Sequence, residues 1–247
     1  MPAVPALPGL PALPGRLTGV GVGPGDPGLL TRRAMAVLEG CDRVVAPVTA
    51  GAGPGRAESV VSEALPHLAV SRLVFEMTRG ASRDAALAGA ALALVPWLAG
   101  GEHVAFVTLG DPNIYSTFPA LVGALRAAGH DVAVDTVPGI TAFQELAAVS
   151  GTVLLDGTQS LSLVTALDGT AHLEHALADP GRAVVVYKGG RHVPAIARLL
   201  AEHGRLEGAV LGEQLGLAGA RVRPLREAAD HPASYLATVI VPPAVPR

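Results

Sequence analysis

The stretch HVAFVTLGDPNIYSTF, residues 103–118, decides the fold of this chain. Its apolar run His103–Leu109 predicts a β-strand, and Pro112–Ala128 has the apolar spacing of a helix. Between them, Gly110 is a turn residue, and Asp111 followed by Pro112 favours the start of a helix. A strand, a tight turn and a helix in this order indicate one βα unit of a parallel sheet.

A second unit of the same kind lies near the start of the chain. Leu17–Val22 predicts a strand, Gly23–Gly28 a turn, and Pro27–Glu39 a helix. Strands separated by helices of this length favour parallel pairing through right-handed crossovers. Further strands are predicted at Arg43–Ala46, Leu73–Phe75 and Val132–Val137, and further helices at Ala57–Leu65 and Ser82–Leu98.

The pattern changes after the turn at Gly139. A helix is predicted at Thr141–Val149, and the later strands are more closely spaced, which favours some antiparallel pairing. We therefore predict two α/β domains: residues 17–139 with a mostly parallel sheet and residues 140–247 with a mixed sheet, after a flexible Pro-rich tail, residues 1–16. The remaining strands are predicted at Leu161–Thr165, Ala183–Tyr187, Ala209–Gly212, Arg221–Pro224 and Leu236–Val241, and helices at His172–Ala178 and Val193–His203.

The composition argues against several classes of protein. The net charge is −3 and aromatic residues make up 3% of the chain, so we expect no nucleic-acid partner. Cys41 is the only cysteine and no histidine pair has the spacing of a zinc site, so we expect no disulfide and no metal. The start of the chain lacks the features of a signal peptide, and no uninterrupted apolar run of about 18 residues occurs. We therefore expect a cytoplasmic protein without a membrane partner.

The two Gly-Asp-Pro turns carry the functional prediction. Asp26 and Asp111 suit helix N-caps, which would be an ordinary structural role. The segment Gly23–Gly28 also matches the G-x-G-x-x-G pattern of nicotinamide-dependent oxidoreductases. However, Pro24 and Pro27 lack the N–H groups that a pyrophosphate requires, and Asp26 adds a negative charge. A bulky ligand without phosphate suits this turn better, because glycine allows close approach to the backbone.

Five segments along the chain carry a resemblance to a known family: Gly21–Leu30, Gly110–Phe118, Val137–Thr141, Tyr187–Gly189 and Ser234–Val241. Together they resemble the tetrapyrrole methylase family. That resemblance implies two α/β domains with a cofactor cleft between them, S-adenosylmethionine as the cofactor, a tetrapyrrole as the substrate, and a homodimer.

The resemblance also implies which residues contact the cofactor. It assigns the methionine and ribose part to the second Gly-Asp-Pro turn, and further contacts to the first turn and to loops of the second domain. The predicted cofactor residues are Pro24, Leu109, Gly110, Asp111, Ile114, Thr141, Ala142, Lys188 and Gly216.

The segment Tyr115–Phe118 is similar to family members that methylate carbon 20 of precorrin-2. Methylation at carbon 11 or 17, cobalt-precorrin-2 as the substrate, and a non-catalytic binding module remain alternatives. Tyr115, as an orienting hydroxyl, and Glu76 are the candidate catalytic residues. Because the substrate carries many carboxylates, local positive charge is expected around it. The candidate substrate-binding residues are Ser116, Thr117, Arg16, Arg56, Arg79 and Arg191.

Overall fold

The computed structural model describes residues 12–49, 51, 53–75 and 81–244. The chain divides into two compact units, the first ending at Thr141 and the second beginning at Ala142. Among the helices of the described residues, none has the length and apolar character needed to cross a membrane.

The first unit contains a parallel sheet of five strands with helices on both faces. Residues of β4 alternate between two cores, since Phe106 packs with Leu94 on one face and Val107 packs with Leu38 on the other. The strands are β1 Ala12–Gly21, β2 Arg43–Val48, β3 Val70–Val74, β4 His103–Thr108 and β5 Asp131–Val137; the helices are α1 Arg32–Gly40, α2 Arg56–Ala64, α3 Ala81–Ala99 and α4 Phe118–Ala127. All pairs are parallel, in the order β3-β2-β4-β1-β5.

Strand β1 begins earlier than the sequence predicts. The prediction of a flexible tail is wrong for residues 12–16, which belong to the strand. Its register against β5 shifts between Leu13 and Arg16, so Pro14 and Gly15 form a bulge. A bulge tolerates the missing N–H of proline. Leu13 packs against the core, and a Cβ on Gly15 would lie 2.6 Å from the carbonyl oxygen of Glu102.

Two helices begin later than predicted. After Asp26, residues Pro27–Leu29 form only a 3-10 turn, and α1 begins at Arg32, where the Thr31 hydroxyl accepts a hydrogen bond from the Ala34 N–H at 3.1 Å. Helix α4 begins at Phe118 rather than at Pro112. The prediction that Asp111 caps a helix is therefore wrong; its carboxylate has other partners, described below.

The second unit contains a mixed sheet in the order β6-β7-β10-β8-β9. Strand β6 pairs with β7 in parallel, and the other three pairs are antiparallel. The elements are α5 Ala142–Ser150, β6 Ser160–Thr165, α6 Ala171–Leu177, β7 Arg182–Tyr187, α7 Val193–Glu202, β8 Val210–Glu213, β9 Arg221–Pro224 and β10 Thr238–Val241. Because β10 is antiparallel to both β7 and β8, strands β6, β7 and β8 all end at the same edge of this sheet.

Candidate functional site

Three turns meet at the carboxyl edge of the first sheet, where ligands of parallel α/β proteins usually bind. The Gly110 N–H donates to the carbonyl oxygen of Gly23 at 2.7 Å. A Cβ on Gly21 would lie 2.6 Å from the nitrogen of Gly139, and a Cβ on Gly139 would overlap the carbonyl oxygen of Gly110. Glycine is therefore required at positions 21 and 139, because the turns after β1, β4 and β5 pack backbone against backbone.

Asp111 joins two of these turns. Its side chain is only 9% exposed. One carboxylate oxygen accepts the Asn113 N–H at 2.8 Å, and the other accepts the Gly139 N–H at 3.1 Å. The Asn113 side chain in turn donates to the Thr136 hydroxyl at 3.2 Å. These bonds hold the second turn against the end of β5.

The segment between Asp111 and α4 is a structured loop. The Ser116 hydroxyl donates to the carbonyl oxygen of Pro112 at 2.7 Å and accepts the Phe118 N–H at 3.0 Å. Tyr115 has a φ of 50°, which is unusual for a residue with a side chain, and it is 45% exposed. Strained backbone of this kind is concentrated at functional sites. Ser116 and Thr117 lie beside Tyr115, so these predicted substrate residues share one loop.

The first two turns fit a ligand without phosphate. Gly110 has a φ of 73°, and a Cβ there would have no neighbouring heavy atom within 4 Å, so the backbone borders open space. Pro24 is buried, and both Pro24 and Pro27 lack N–H groups. The Gly28 N–H already donates to the Asp26 carboxylate at 2.7 Å. This geometry argues against the pyrophosphate of a nicotinamide cofactor.

Leu109, Ile114 and Thr141 complete the predicted cofactor residues of the first unit. Leu109 and Ile114 are half-buried on either side of Asp111, in the second turn. Thr141 is 5% exposed and lies two residues after Gly139 in the third turn. The structure thus places all three in the turns that meet at this edge.

The second unit brings three predicted cofactor residues to one edge of its own sheet. Lys188 follows β7 and has a φ of 57°, whereas Gly216 lies in the loop after β8 and has a φ of 68°. The Tyr187 hydroxyl accepts the Phe143 N–H at 3.1 Å, which places the start of α5, and hence Ala142, at the end of β7. This bond between Phe143 and Tyr187 was not predicted from the sequence, because it joins segments that are distant in the chain.

The two predicted arginines described in the first unit, Arg16 and Arg56, do not share one location. Arg16 forms an ion pair with Asp135 at 3.5 Å and lies about 17 Å along β1 from Gly21, at 3.3 Å per residue. Arg56 is exposed at the first position of α2, just beyond the carboxyl end of β2. Arg191, in the second unit, lies in the 3-10 turn after β7 and donates to the carbonyl oxygen of Leu167.

Two predicted residues, Glu76 and Arg79, lie outside the described residues. Within the residues that are described, no cluster of three or more His, Cys, Asp or Glu side chains could hold a metal ion. At the carboxyl edge of the first sheet, the described residues offer backbone turns and the buried carboxylate of Asp111 for holding a ligand.

Known proteins resemble this chain over most of its length. The family described as Tetrapyrrole (Corrin/Porphyrin) Methylases matches residues 16–229. A precorrin-2 C(20)-methyltransferase of Sinorhizobium sp is 36% identical over 239 residues, which cover 92% of this chain and 95% of the relative. A cobalt-precorrin-2 C(20)-methyltransferase of Salmonella typhimurium is 32% identical over 231 residues, covering 92% and 96%.

Solved structures show the same fold. A uroporphyrin-III C-methyltransferase from Thermus thermophilus, complexed with S-adenosylhomocysteine, superposes with a TM-score of 0.62. It is 24% identical and covers 92% of this chain and 97% of its own.

Proposed function

The chain belongs to the tetrapyrrole (corrin/porphyrin) methylase family, and we propose that it transfers a methyl group from S-adenosylmethionine to carbon 20 of precorrin-2 in cobalamin biosynthesis. The observation that carries this proposal is the similarity of the chain to two relatives named for methylation at carbon 20. The similarity covers nearly the whole of this chain and of each relative. The loop of Tyr115, Ser116 and Thr117 supports it, since the Ser116 hydroxyl braces this loop and the exposed ring of Tyr115 follows the turn that borders open space.

S-Adenosylmethionine, when bound, supplies a methyl group on a sulfonium, which is already activated for transfer to a carbon nucleophile. The chain's own residues would then have the tasks of binding and orientation, which can contribute about 7–11 kcal/mol to lowering a reaction barrier. We assign cofactor binding in the first unit to Pro24, Leu109, Gly110, Asp111, Ile114 and Thr141, and in the second to Ala142, Lys188 and Gly216.

Asp111 shapes the turn on which the cofactor would rest, because its carboxylate holds the N–H groups of Asn113 and Gly139. A carboxylate near this turn also suits a cationic ligand better than a phosphate. The exposed ring of Tyr115 would orient the macrocycle through its hydroxyl. A meso carbon bears one hydrogen. After methylation this hydrogen would leave as a proton, which passes to a base or to water.

Positive charge for the substrate carboxylates is assigned to Arg56, which lies beyond the carboxyl end of β2, and to Arg191. The ion pair between Arg16 and Asp135 disfavours the same role for Arg16. Glu76 and Arg79 stay predictions from the sequence. The family resemblance further supports a homodimer, and light scattering of the purified protein measures its oligomeric state. The cytoplasmic location stays a prediction from the sequence.

Ligand binding is the first test. Titrations with S-adenosylmethionine, S-adenosylhomocysteine and NADH should show binding of the first two ligands only. Gly110→Ala should weaken that binding, because it forces a side chain into the open space and strains a left-handed turn. Gly101→Ala is the matched control, since Gly101 is also left-handed with open space, but precedes β4 at the opposite edge of the sheet. Binding of NADH alone would refute the proposal.

The substrate is tested by anaerobic incubation with precorrin-2 and S-adenosylmethionine, followed by mass analysis of the product. We expect the gain of one methyl group, and NMR with a labelled methyl donor should locate it on carbon 20. A parallel incubation with cobalt-precorrin-2 tests the second candidate substrate, which the similarity to the Salmonella typhimurium relative favours. Methylation at carbon 11 or 17 would exclude the carbon-20 assignment and leave the family unchanged.

A further inference from the structure

Two short loops at one edge of the second unit contain left-handed backbone at residues other than glycine. Lys188 follows β7 with a φ of 57°, and Gln214 follows β8 with a φ of 51°. A left-handed conformation is strained for residues with a side chain, and it persists only where neighbouring contacts enforce it. These loops carry Lys188 and Gly216, both assigned above to cofactor binding. The contacts that hold the loops therefore bear on function.

Glu213 is the buried acid from which one of these loops departs. It is the last residue of β8, immediately precedes Gln214, and is only 9% exposed. One carboxylate oxygen accepts a hydrogen bond from Arg223 of the neighbouring strand β9 at 3.0 Å. The other accepts the backbone N–H of Ser234 at 3.0 Å. The carboxylate of Glu213 thus accepts one hydrogen bond from a side chain and one from the backbone of a distant segment.

That segment, Ala233–Leu236, is called the strap here. The Ala233 N–H donates to the carbonyl oxygen of Gly190 at 2.8 Å. A Cβ on Gly190 would overlap the carbonyl oxygen of Ser234, so the strap lies directly on the Gly190 backbone. Gly190 is two residues beyond Lys188. Through the strap, Glu213 is therefore connected to the Lys188 loop, and through its own peptide bond it is connected to the Gln214 loop.

We infer that Glu213 is a positioning residue that holds both loops in the conformation required for cofactor binding; the inference rests on the proposed function. It would act through the Ser234 N–H and the strap rather than by touching the cofactor. A buried carboxylate suits this role because a hydrogen bond to a charged acceptor is stronger than one between neutral groups. Arg223 balances the charge and fixes the orientation of the carboxylate.

The test is Glu213→Gln, compared with Asp179→Asn as a matched control. Asp179 also pairs with an arginine, Arg182 at 3.4 Å, but it lies before the amino end of β7, at the opposite edge of the same sheet. Calorimetric titration with S-adenosylhomocysteine should give a Kd about tenfold higher for Glu213→Gln. Steady-state kinetics should show a raised KM for S-adenosylmethionine with kcat changed by less than roughly twofold, because only the loop positions are altered. The control should bind like the unaltered chain.

Circular dichroism establishes whether each variant is folded. A folded Glu213→Gln variant with unchanged affinity would overturn the inference and leave the proposed function standing. If that variant does not fold, Glu213→Asp replaces it, since this change keeps the negative charge for Arg223 but shortens the side chain by one methylene group and so weakens the bond to the Ser234 N–H. A Kd raised about threefold would then support the inference, and an unchanged Kd would overturn it. Absence of binding by the unaltered chain would overturn the proposed function and this inference together.

Discussion

The two Gly-Asp-Pro turns have the same sequence, and replacing their aspartates should have different effects. Asp111 is almost fully buried, and its carboxylate accepts hydrogen bonds from two backbone N–H groups at 2.8 Å and 3.1 Å. Asp26 accepts one, at 2.7 Å, and is exposed. The proposed perturbation is alanine at each position in turn, with asparagine at position 111 as an intermediate change.

The expected magnitudes follow from the number of bonds. A hydrogen bond to a charged group contributes about 1.5–3 kcal/mol, so Asp111→Ala should lower the free energy of unfolding by about 3–6 kcal/mol. Asp111→Asn keeps one acceptor oxygen but turns an NH₂ group toward the second N–H, so about half of that loss is expected. Asp26→Ala removes an N-cap and should lower the free energy of unfolding by about 1 kcal/mol.

The assay is urea unfolding followed by tryptophan fluorescence. Trp97 is the only tryptophan, and it lies in α3, so the signal reports the first unit alone. Far-UV circular dichroism is followed in parallel and reports the helices and strands of both units. A transition seen by circular dichroism but not by Trp97 belongs to the second unit and serves as the control, because neither aspartate belongs to that unit. Equal losses for Asp26→Ala and Asp111→Ala would show that the bonds to Asn113 and Gly139 do not stabilise the unit as described.

Three further predictions use the same or simpler measurements. The hydrogen-bonded Arg72 guanidinium lowers the pKa of Glu58 from its usual 4.5. The pair therefore stabilises the fold above pH 4.5, and this contribution is lost as the pH falls through the lowered pKa. Glu58→Gln should reduce the loss of stability in acid, as measured by urea unfolding. Burial, assisted by the positive charge of Arg16, lowers the pKa of His103, so an NMR titration should place that pKa below 6.5. Arg16→Gln should raise the pKa of His103, and a lower pKa in this variant would contradict the assigned cause. Tyr115→Phe should lower precorrin-2 turnover about tenfold, which corresponds to the loss of one hydrogen bond, and should leave the affinity for S-adenosylhomocysteine unchanged. Unchanged turnover would show that the hydroxyl has no part in the mechanism and would not affect the family assignment.

Much of the fold could be predicted because its signals are local. The strand starting at His103 and the helices near Arg56 and Val193 follow from apolar spacing over a few residues, and the structure confirms them. The start of β1 was missed because prolines argue locally against a strand, whereas its bulge exists only through pairing with β5. That pairing brings together segments distant in sequence, which local patterns do not encode.

The candidate site was predictable to the same extent. The Gly-Asp-Pro turns and the residues beside them were recognisable as motifs, and the structure places their glycines at one edge of the first sheet. Tyr187 and residues 234–236 of the strap lie in segments that resemble the family, but their contacts join segments far apart in the chain. Neither those contacts nor the role of Glu213 could be predicted from the sequence. Arg16 carried the right charge for a carboxylate-rich substrate, but its position on β1 and its partner Asp135 emerge only in three dimensions.

The sequence by itself determined the succession of strands and helices and the family to which the chain belongs, and it favoured a ligand without phosphate at the first two turns. These properties depend on apolar spacing, on the missing N–H of proline and on short motifs, all of which are local. Only the tertiary structure distinguished Asp26, an exposed cap on a 3-10 turn, from Asp111, a buried link between two turns. The two residues have the same immediate neighbours in sequence, and what separates them is the N–H of Gly139, which folding brings to Asp111 alone.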